Sequence, residues 1–397
     1  MKMKNRIKSI LSNYKFIVLL FLLFAMAASF QSIFLGPKIT KDSRIGYNIK
    51  YNNYIIFEKS FQHLKDGKDL YVSYPSEHWD LYKYSPSFAA FFGIFAIFPD
   101  LIGLNLWNIL NAFVLLIAVY NLPKLSNYKK GLILVICLIE LMTSMQNEQS
   151  NSLIAGLIIL SFCFLEKDKY FFASLFIVFS VFIKLFGIVG FALFLFYPKK
   201  WKLILYSAFW SIFIFAIPLI FIDFIQYEFL ISSFLNMLTN DYSLSYGYSV
   251  MGCLSTWFGF NGNKILIVLI GALVFLIPFY RIKEYKNYTF RFLTLTSILI
   301  WVVIFNHKAE SPTFIIAMAG VSLWFITSEK NKVNIALFIF AFILTSLSPT
   351  DIFPKYLREE FVKPYTLKAL PCILIWIKII YDMIVLKKNR ILNEYNK

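Results

Sequence analysis

Long apolar runs alternate with short polar connections along almost the whole chain. Most of these runs hold roughly 15–20 residues, and a helix needs about 20 apolar residues to cross the hydrocarbon core of a bilayer. The pattern predicts an all-α, polytopic membrane helical bundle with about 12 crossings. No stretch has the composition of a separate soluble domain, so residues 1–397 are expected to form a single integral membrane domain.

Composition and charge fix the orientation of this bundle. The chain is 59% hydrophobic and 15% charged, whereas soluble domains carry about a quarter of their residues charged. The net charge of +17 would favour nucleic acid in a soluble protein, but here the lysines and arginines lie in short connections between apolar runs. Basic connections of membrane proteins stay in the cytoplasm. This rule predicts that both termini are cytoplasmic, and it gives no reason to expect a nucleic-acid partner.

Four stretches do not follow the simple alternation. Residues 37–85 form a long first extracytoplasmic loop, and residues 223–263 form a second outer loop. Residues 86–122 are too long for one crossing and too short for two comfortable ones, so 86–98 are predicted to be a shallow or re-entrant helix. Re-entrant backbone is tolerated when protein covers it or it lines a cavity. The apolar run at 170–197 is predicted to be two short helices that meet at the outer face near Lys184.

Polar residues with useful chemistry are concentrated on the predicted outer side. The first loop places the carboxylates of Glu58 and Asp80 beside aromatic residues, an arrangement that suits sugar binding, although a solvated loop explains it as well. The turn 146–151 contains Gln149 and Asn151, whose amides both donate and accept hydrogen bonds. A merely hydrophilic turn is the alternative.

Cations on the same side are candidates for binding a phosphate. Lys184 stands alone in an apolar run, where a charge is costly and by default indicates function, although a lysine near a helix end can also extend to the interface. Segment 306–312 carries His307, Lys308 and Glu310, in which two potential cations lie beside a carboxylate that could orient one of them. A loop with an internal ion pair is the alternative.

Other chemistry is not indicated. The chain contains no Gly-rich phosphate loop after a strand, no HExxH and no Cys/His set with metal spacing, so neither a metal nor a cofactor is expected. Glu140 lies inside an apolar run and is compatible with two roles, a proton relay as in transporters and a carboxylic acid in helix packing.

Several segments together resemble membrane glycosyltransferases of the GT-C superfamily. The likeness is to glycosyltransferase family 87, the polyprenyl-phosphate-mannose-dependent α-mannosyltransferases. It is carried by Gly67-Lys68-Asp69-Leu70-Tyr71, Tyr84-Ser85-Pro86, Glu148-Gln149-Ser150-Asn151, Lys184-Leu185 and the segment 306–312.

The resemblance implies a GT-C-like fold and a reaction. A hexose, mannose-like, would pass from a polyprenyl-phosphate donor to a hydroxyl of a glycan or glycolipid acceptor, at the extracytoplasmic face of the cell (inner) membrane. Where the family usually has its loop aspartate, this chain has Asn53, and an amide cannot act as a base. Asp80 is therefore the first substitute and Glu58 the second.

The resemblance also implies roles for the other candidates. Lys184, His307 and Lys308 would neutralise the departing lipid phosphate. The remaining substrate-binding candidates are Asn53, Tyr84, Gln149, Asn151 and Glu310.

Two other functions are compatible with the sequence. A transporter or flippase of lipid-linked sugars also fits about 12 crossings, and Glu140 favours it, but carriers usually show repeated halves and polar groups near the midplane. An inactive scaffold would explain Asn53.

Overall fold

The computed structural model describes residues 2–34, 51–240 and 246–385, and every regular element within these ranges is a helix. The predicted all-α class is confirmed for this part of the chain. The helices of the first half are α1 (Lys2–Ser12), α2 (Tyr14–Phe34), α3 (Asn52–Lys65), α4 (Pro86–Ala96), α5 (Asp100–Asn121), α6 (Asn127–Met145), α7 (Asn151–Leu165) and α8 (Tyr170–Ile183).

The second half begins with a 3-10 helix at Leu185–Phe196, directly after α8. The α-helices that follow are α9 (Lys200–Ala216), α10 (Phe224–Asn240), α11 (Val250–Phe258), α12 (Lys264–Leu276), α13 (Tyr288–Ile304), α14 (Phe314–Thr327), α15 (Lys332–Ala341), α16 (Lys355–Leu357) and α17 (Leu370–Val385). Short 3-10 or π turns extend α9, α12 and α15 at their C-terminal ends.

Helix length and composition identify a membrane protein. In the described ranges three helices are long and apolar enough to cross a bilayer, namely α2, α5 and the continuous segment Lys200–Ile220. Several other apolar helices hold only 10–17 residues, fewer than the usual crossing length of about 20. The count of about 12 crossings therefore stays a prediction.

The core is built by close contact between α5 and α7 and between α13 and α14. A side chain at Gly156 of α7 would meet the backbone of Val114 on α5 at 2.8 Å, so glycine is what lets these two helices approach. Polar groups inside the bundle are paired across helices: the amide of Asn108 donates to the hydroxyl of Ser29 at 2.9 Å, and Ser152 donates to Asn111 at 3.1 Å.

Basic connections gather at one end of the bundle. The guanidinium of Arg291 binds both carboxylate oxygens of Glu166, at 2.6 and 2.8 Å, and the hydroxyl of Tyr197 donates to the same carboxylate at 2.5 Å. The ammonium of Lys124 lies 4.6 Å from the ring centre of Tyr288. The connections predicted to be cytoplasmic thus meet in space.

The apolar run at 170–197 breaks where the sequence predicts. Helix α8 ends at Ile183, and Lys184 takes an extended conformation (φ −140°, ψ 128°) before the 3-10 helix begins. The 3-10 helix returns to the basic end, where Tyr197 contacts Glu166. Lys184 therefore lies at the opposite end of the bundle.

Both segments that were predicted to be outer loops contain helices. Helix α3 lies within 37–85, and α10 and α11 lie within 223–263. Helix α10 rests on the first loop, because Ser233 donates to both oxygens of Asp69 at 2.8 Å and Gln226 donates to the carbonyl of Gly67 at 2.7 Å. Its sequence combines apolar residues with polar ones such as Gln226 and Ser233, a composition that is compatible with a helix along the membrane interface.

Candidate functional site

The turn between α6 and α7 is held in a costly conformation. Glu148 has a positive φ of 50°, which residues other than glycine rarely adopt. The indole of Trp107 donates to the carbonyl of Glu148 at 2.8 Å, and the hydroxyl of Ser32 donates to its carboxylate at 2.9 Å. Strain that the surroundings hold in this way is often found at functional sites.

This turn binds Lys184. The ammonium group donates to the side-chain oxygen of Gln149 at 3.1 Å and to that of Asn151 at 2.9 Å. Three candidates that lie far apart in the sequence are thus in direct contact. The two amides fix the position of the ammonium group without neutralising its charge, since neither amide oxygen is ionised.

Tyr84 completes the cluster. Its hydroxyl donates to the side-chain oxygen of Gln149 at 3.4 Å, and the ammonium of Lys184 lies 5.5 Å from its ring centre. The carbonyl of Tyr84 accepts a hydrogen bond from the hydroxyl of Tyr71 at 2.9 Å. The tyrosines of the two family-like motifs, 67–71 and 84–86, therefore meet here. We call Tyr84, Gln149, Asn151 and Lys184 the cation cluster.

Segment 306–312 lies at the same end. The negative charge of Glu310 acts electrostatically on both Lys184 and Tyr84. The backbone N–H of Tyr248 donates to the carbonyl of Ala309 at 2.8 Å, which fixes this segment against the second outer loop. Glu310 therefore lies within electrostatic range of the cation cluster.

The other two members of the segment differ in charge. Burial lowers the pKa of His307, and the nearby charge of Lys264 lowers it further, so this imidazole is neutral near pH 7. The pKa of Lys308 is also lowered by burial, with Lys83 adding to the effect and Asp80 opposing it. The unperturbed pKa of a lysine is about 10.4, well above that of a histidine, so Lys308 is favoured over His307 as the cation.

The two candidate bases lie in different surroundings. Asp80 is 58% exposed and pairs with Lys83 at 3.1 Å, and its charge acts on Tyr84 and Lys308. Glu58 accepts a hydrogen bond from Gln62 at 2.7 Å.

Burial raises the pKa of Glu58 against the opposing charge of Lys59, as suits a group that takes up a proton. Its charge acts on Tyr51 and Tyr54. Of the two candidate bases, Asp80 is therefore the one whose charge acts on the cation cluster, at Tyr84, and on segment 306–312, at Lys308.

Asn53 is a structural contact of the same region. Its amide donates to the carbonyl of Asn147 at 2.9 Å and so ties α3 to the 146–151 turn. The neighbouring Asn52 accepts a hydrogen bond from the backbone of Trp79 at 3.2 Å, which binds the start of α3 to the stretch that carries Asp80.

A buried ion pair lies beside segment 306–312, and one of its members, Lys368, was not among the residues predicted from the sequence. The ammonium of Lys368 lies 2.9 Å from a carboxylate oxygen of Glu140 and donates to the hydroxyl of Ser311 at 2.8 Å. Both charged side chains are almost fully buried, at 2% and 0% exposure. No local signal links these residues, which are 228 positions apart.

The described residues contain no group of three or more His, Cys, Asp and Glu side chains that could hold a metal ion. The four cysteines, Cys137, Cys163, Cys253 and Cys372, are buried and unpaired. What the described end of the bundle offers is therefore cations, amides, aromatic rings and carboxylates.

Fold and site together define a helical membrane protein with a polar, partly cationic centre at the end opposite its basic connections. Comparison with known families gives the particular assignment. The family model for glycosyltransferase family 87 matches residues 82–305, more than half of the chain, and the protein belongs to that family. The matched range includes Tyr84, the 146–151 turn and Lys184. No curated protein matches the chain.

Proposed function

We propose that this membrane glycosyltransferase moves a hexose, mannose-like, from a polyprenyl-phosphate donor to a hydroxyl of a glycan or glycolipid acceptor. The observation that carries the proposal is the cation cluster. Lys184 is held by two neutral amides and a tyrosine, and no carboxylate is bonded to its ammonium in the described structure. Such a cation is available to an anionic ligand, and the donor phosphate is the anion that this chemistry requires.

The cluster offers a second group to a phosphate. The amide nitrogen of Asn151 is buried and has no hydrogen-bond partner among the described residues. A buried donor without a partner is costly, and a ligand oxygen would remove that cost. Lys308 supplies further positive charge nearby, whereas neutral His307 would contribute a hydrogen bond. Positive charge beside the leaving phosphate stabilises the negative charge that develops on it in the transition state. The phosphate can then leave without being protonated.

The reaction is a single displacement. The acceptor hydroxyl gives its proton to a carboxylate and its oxygen bonds to the anomeric carbon, while the bond from that carbon to the phosphate oxygen breaks and polyprenyl phosphate leaves. Asp80 is the first candidate for the carboxylate, because its charge acts on Tyr84 and Lys308. Glu58 is the second.

The active end faces the outside of the cell (inner) membrane. This orientation follows from the positive-inside rule, because the basic connections gather at the other end. A lipid donor also accounts for an enzyme embedded in the bilayer, since the polyprenyl chain can enter sideways between helices.

Membership of glycosyltransferase family 87 disfavours the transporter alternative. Glu140 was the intramembrane charge that favoured a proton relay, and it is paired with Lys368 at 2.9 Å. A buried pair of this kind is compatible with helix packing and does not require a relay.

The experiment compares acid-to-amide variants in reconstituted liposomes with polyprenyl-phosphate hexoses labelled in the sugar and membrane glycolipids as acceptors. Asp80→Asn should lower kcat at least about 100-fold, the usual contribution of a general base. Asp66→Asn is the matched control, because Asp66 is an exposed acid of the same loop, paired with Lys68. Full turnover by Asp80→Asn and by Glu58→Gln would remove both acids from the base role. No transfer by the wild type from any hexosyl donor would contradict the proposal itself.

A further inference from the structure

A polar cavity opens beside segment 306–312, and none of the residues of the cation cluster lines it. It has a volume of about 560 Å³, within the range of roughly 300–1,000 Å³ that is usual for small-molecule sites. The residues that matter for its chemistry are Tyr246, Tyr248, Ser255, Thr256, Asn261 and Glu310.

The lining matches a neutral, hydroxyl-rich ligand. Two tyrosines offer rings and hydroxyls, and Ser255, Thr256 and Asn261 add side chains that both donate and accept hydrogen bonds. A sugar presents the same combination, with apolar ring faces and hydroxyl groups. The cavity is therefore suited to one or two saccharide units.

An anionic ligand fits less well. Lys363 also lines the cavity, but its ammonium is bonded to both carboxylate oxygens of Glu359, each at 2.8 Å. The carboxylate of Glu310 adds negative charge to the wall. A neutral sugar can donate a hydroxyl hydrogen to Glu310, whereas a phosphate or uronate bound in the cavity would be repelled by it without the offsetting charge that Lys184 supplies at the cation cluster.

Glu310 connects the cavity to the cation cluster. It lines the cavity, and its charge acts on Lys184 and Tyr84. The second outer loop packs closely on the backbone next to Glu310, because a Cβ at Gly247, which has a positive φ of 56°, would lie 2.7 Å from the carbonyl oxygen of Ala309. This close packing lets the second loop support the segment.

We infer that this cavity binds the saccharide acceptor, with Glu310 accepting a hydrogen bond from an acceptor hydroxyl beside the donor phosphate site. The inference rests on the proposed sugar transfer and assigns the second substrate to its own site. The two substrates would then share Glu310, with the donor at the cation cluster and the acceptor at the cavity.

Saturation-transfer difference NMR on the purified full-length protein tests the inference. The probes are methyl α-mannopyranoside, methyl α-maltoside and, as the charged counterpart, methyl α-glucuronide. The wild type should transfer saturation to the neutral glycosides and much less to the glucuronide. Ser255→Trp, which places a bulky indole in the cavity, should strongly reduce the signal.

Two further variants test the hydrogen bonds. Thr256→Val and Asn261→Leu should each weaken binding about fivefold, the effect of one lost hydrogen bond. Thr327→Val is the matched control for the first, because Thr256 and Thr327 both donate to a carbonyl of their own helix, while Thr327 lies outside the cavity.

Titration with polyprenyl phosphate separates this inference from the proposed function and shows that the variants are folded. Cavity variants should bind polyprenyl phosphate as the wild type does. Equal saccharide signals in the wild type and Ser255→Trp would overturn the inference, as would stronger transfer to the glucuronide or no signal from any glycoside. A wild type that binds glycosides but neither binds polyprenyl phosphate nor transfers sugar would instead overturn the proposed function and leave a saccharide site.

Discussion

The buried pair between Lys368 and Glu140 makes a quantitative prediction about stability. Replacing Lys368 by methionine keeps most of the side-chain volume but leaves the carboxylate of Glu140 without its cation. Removing one partner of a buried ion pair costs about 3–5 kcal/mol, because the remaining charge is uncompensated. The hydroxyl of Ser311 also loses a partner, which adds about 1 kcal/mol.

A double-mutant cycle isolates the pair. Replacing both charges, with Glu140→Leu and Lys368→Met, should restore much of the loss, because apolar residues in place of a buried pair are often neutral or stabilising. The double variant should therefore be less destabilised than Lys368→Met by at least about 2 kcal/mol.

Equilibrium unfolding in mixed detergent micelles, followed by circular dichroism, measures these free energies of unfolding. Lys378→Met is a suitable control, because Lys378 pairs with Asp382 on the partly exposed face of α17 and a pair of that kind contributes only about 0–1 kcal/mol. A coupling free energy below about 0.5 kcal/mol between Glu140 and Lys368 would show that the two charges do not stabilise each other.

Three further predictions concern the site. Lys184→Ala should weaken polyprenyl-phosphate binding roughly 10- to 100-fold, as expected for a charge-assisted hydrogen bond, and an unchanged dissociation constant in a titration would count against the cation cluster. Tyr71→Phe removes the hydrogen bond to the carbonyl of Tyr84 and should cost about 1 kcal/mol of stability, measured by the same detergent unfolding; no loss would show that this contact is not made. Burial lowers the pKa values of His63, His78 and His307, so stability should be fully present above about pH 6.5 and fall as the pH drops through that value toward their folded pKa values. Thermal unfolding from pH 8 to 5 checks this, and His307→Gln should flatten the curve; a rise in stability toward acid pH would contradict it.

Much of the site could be predicted because its members are unusual where they stand. A lone Lys184 in an apolar run is costly, and the structure breaks the helix there and gives the lysine polar partners. The 146–151 turn is richer in amides than a connection requires, and two of those amides bind that lysine. Local composition was sufficient in both cases.

Long-range pairing could not be predicted in the same way. Glu140 is as unusual in its run as Lys184, but its partner Lys368 lies beside the last apolar helix, where a lysine resembles an ordinary flanking residue. Only the packing of α6 against segment 306–312 and the start of α17 brings the two charges together.

Helices in the outer segments were missed for a related reason. Helix α10 mixes polar residues such as Gln226 and Ser233 with apolar ones, so its mean hydropathy falls below that of a crossing and the segment was predicted to be a loop. The hydrogen bonds that fix it are made to Gly67 and Asp69, residues of the first loop. Hydropathy identifies crossings and gives little information about helices at the interface.

Side-specific labelling of single cysteines tests most directly whether one site forms at the extracytoplasmic end. The native cysteines are buried, so introduced ones can be followed. In sealed right-side-out vesicles an impermeant maleimide should label Gln146→Cys and Asn306→Cys, whereas Asn127→Cys and Lys332→Cys should react only after permeabilisation. Labelling of Gln146→Cys and Asn306→Cys from opposite sides of the membrane would contradict the account.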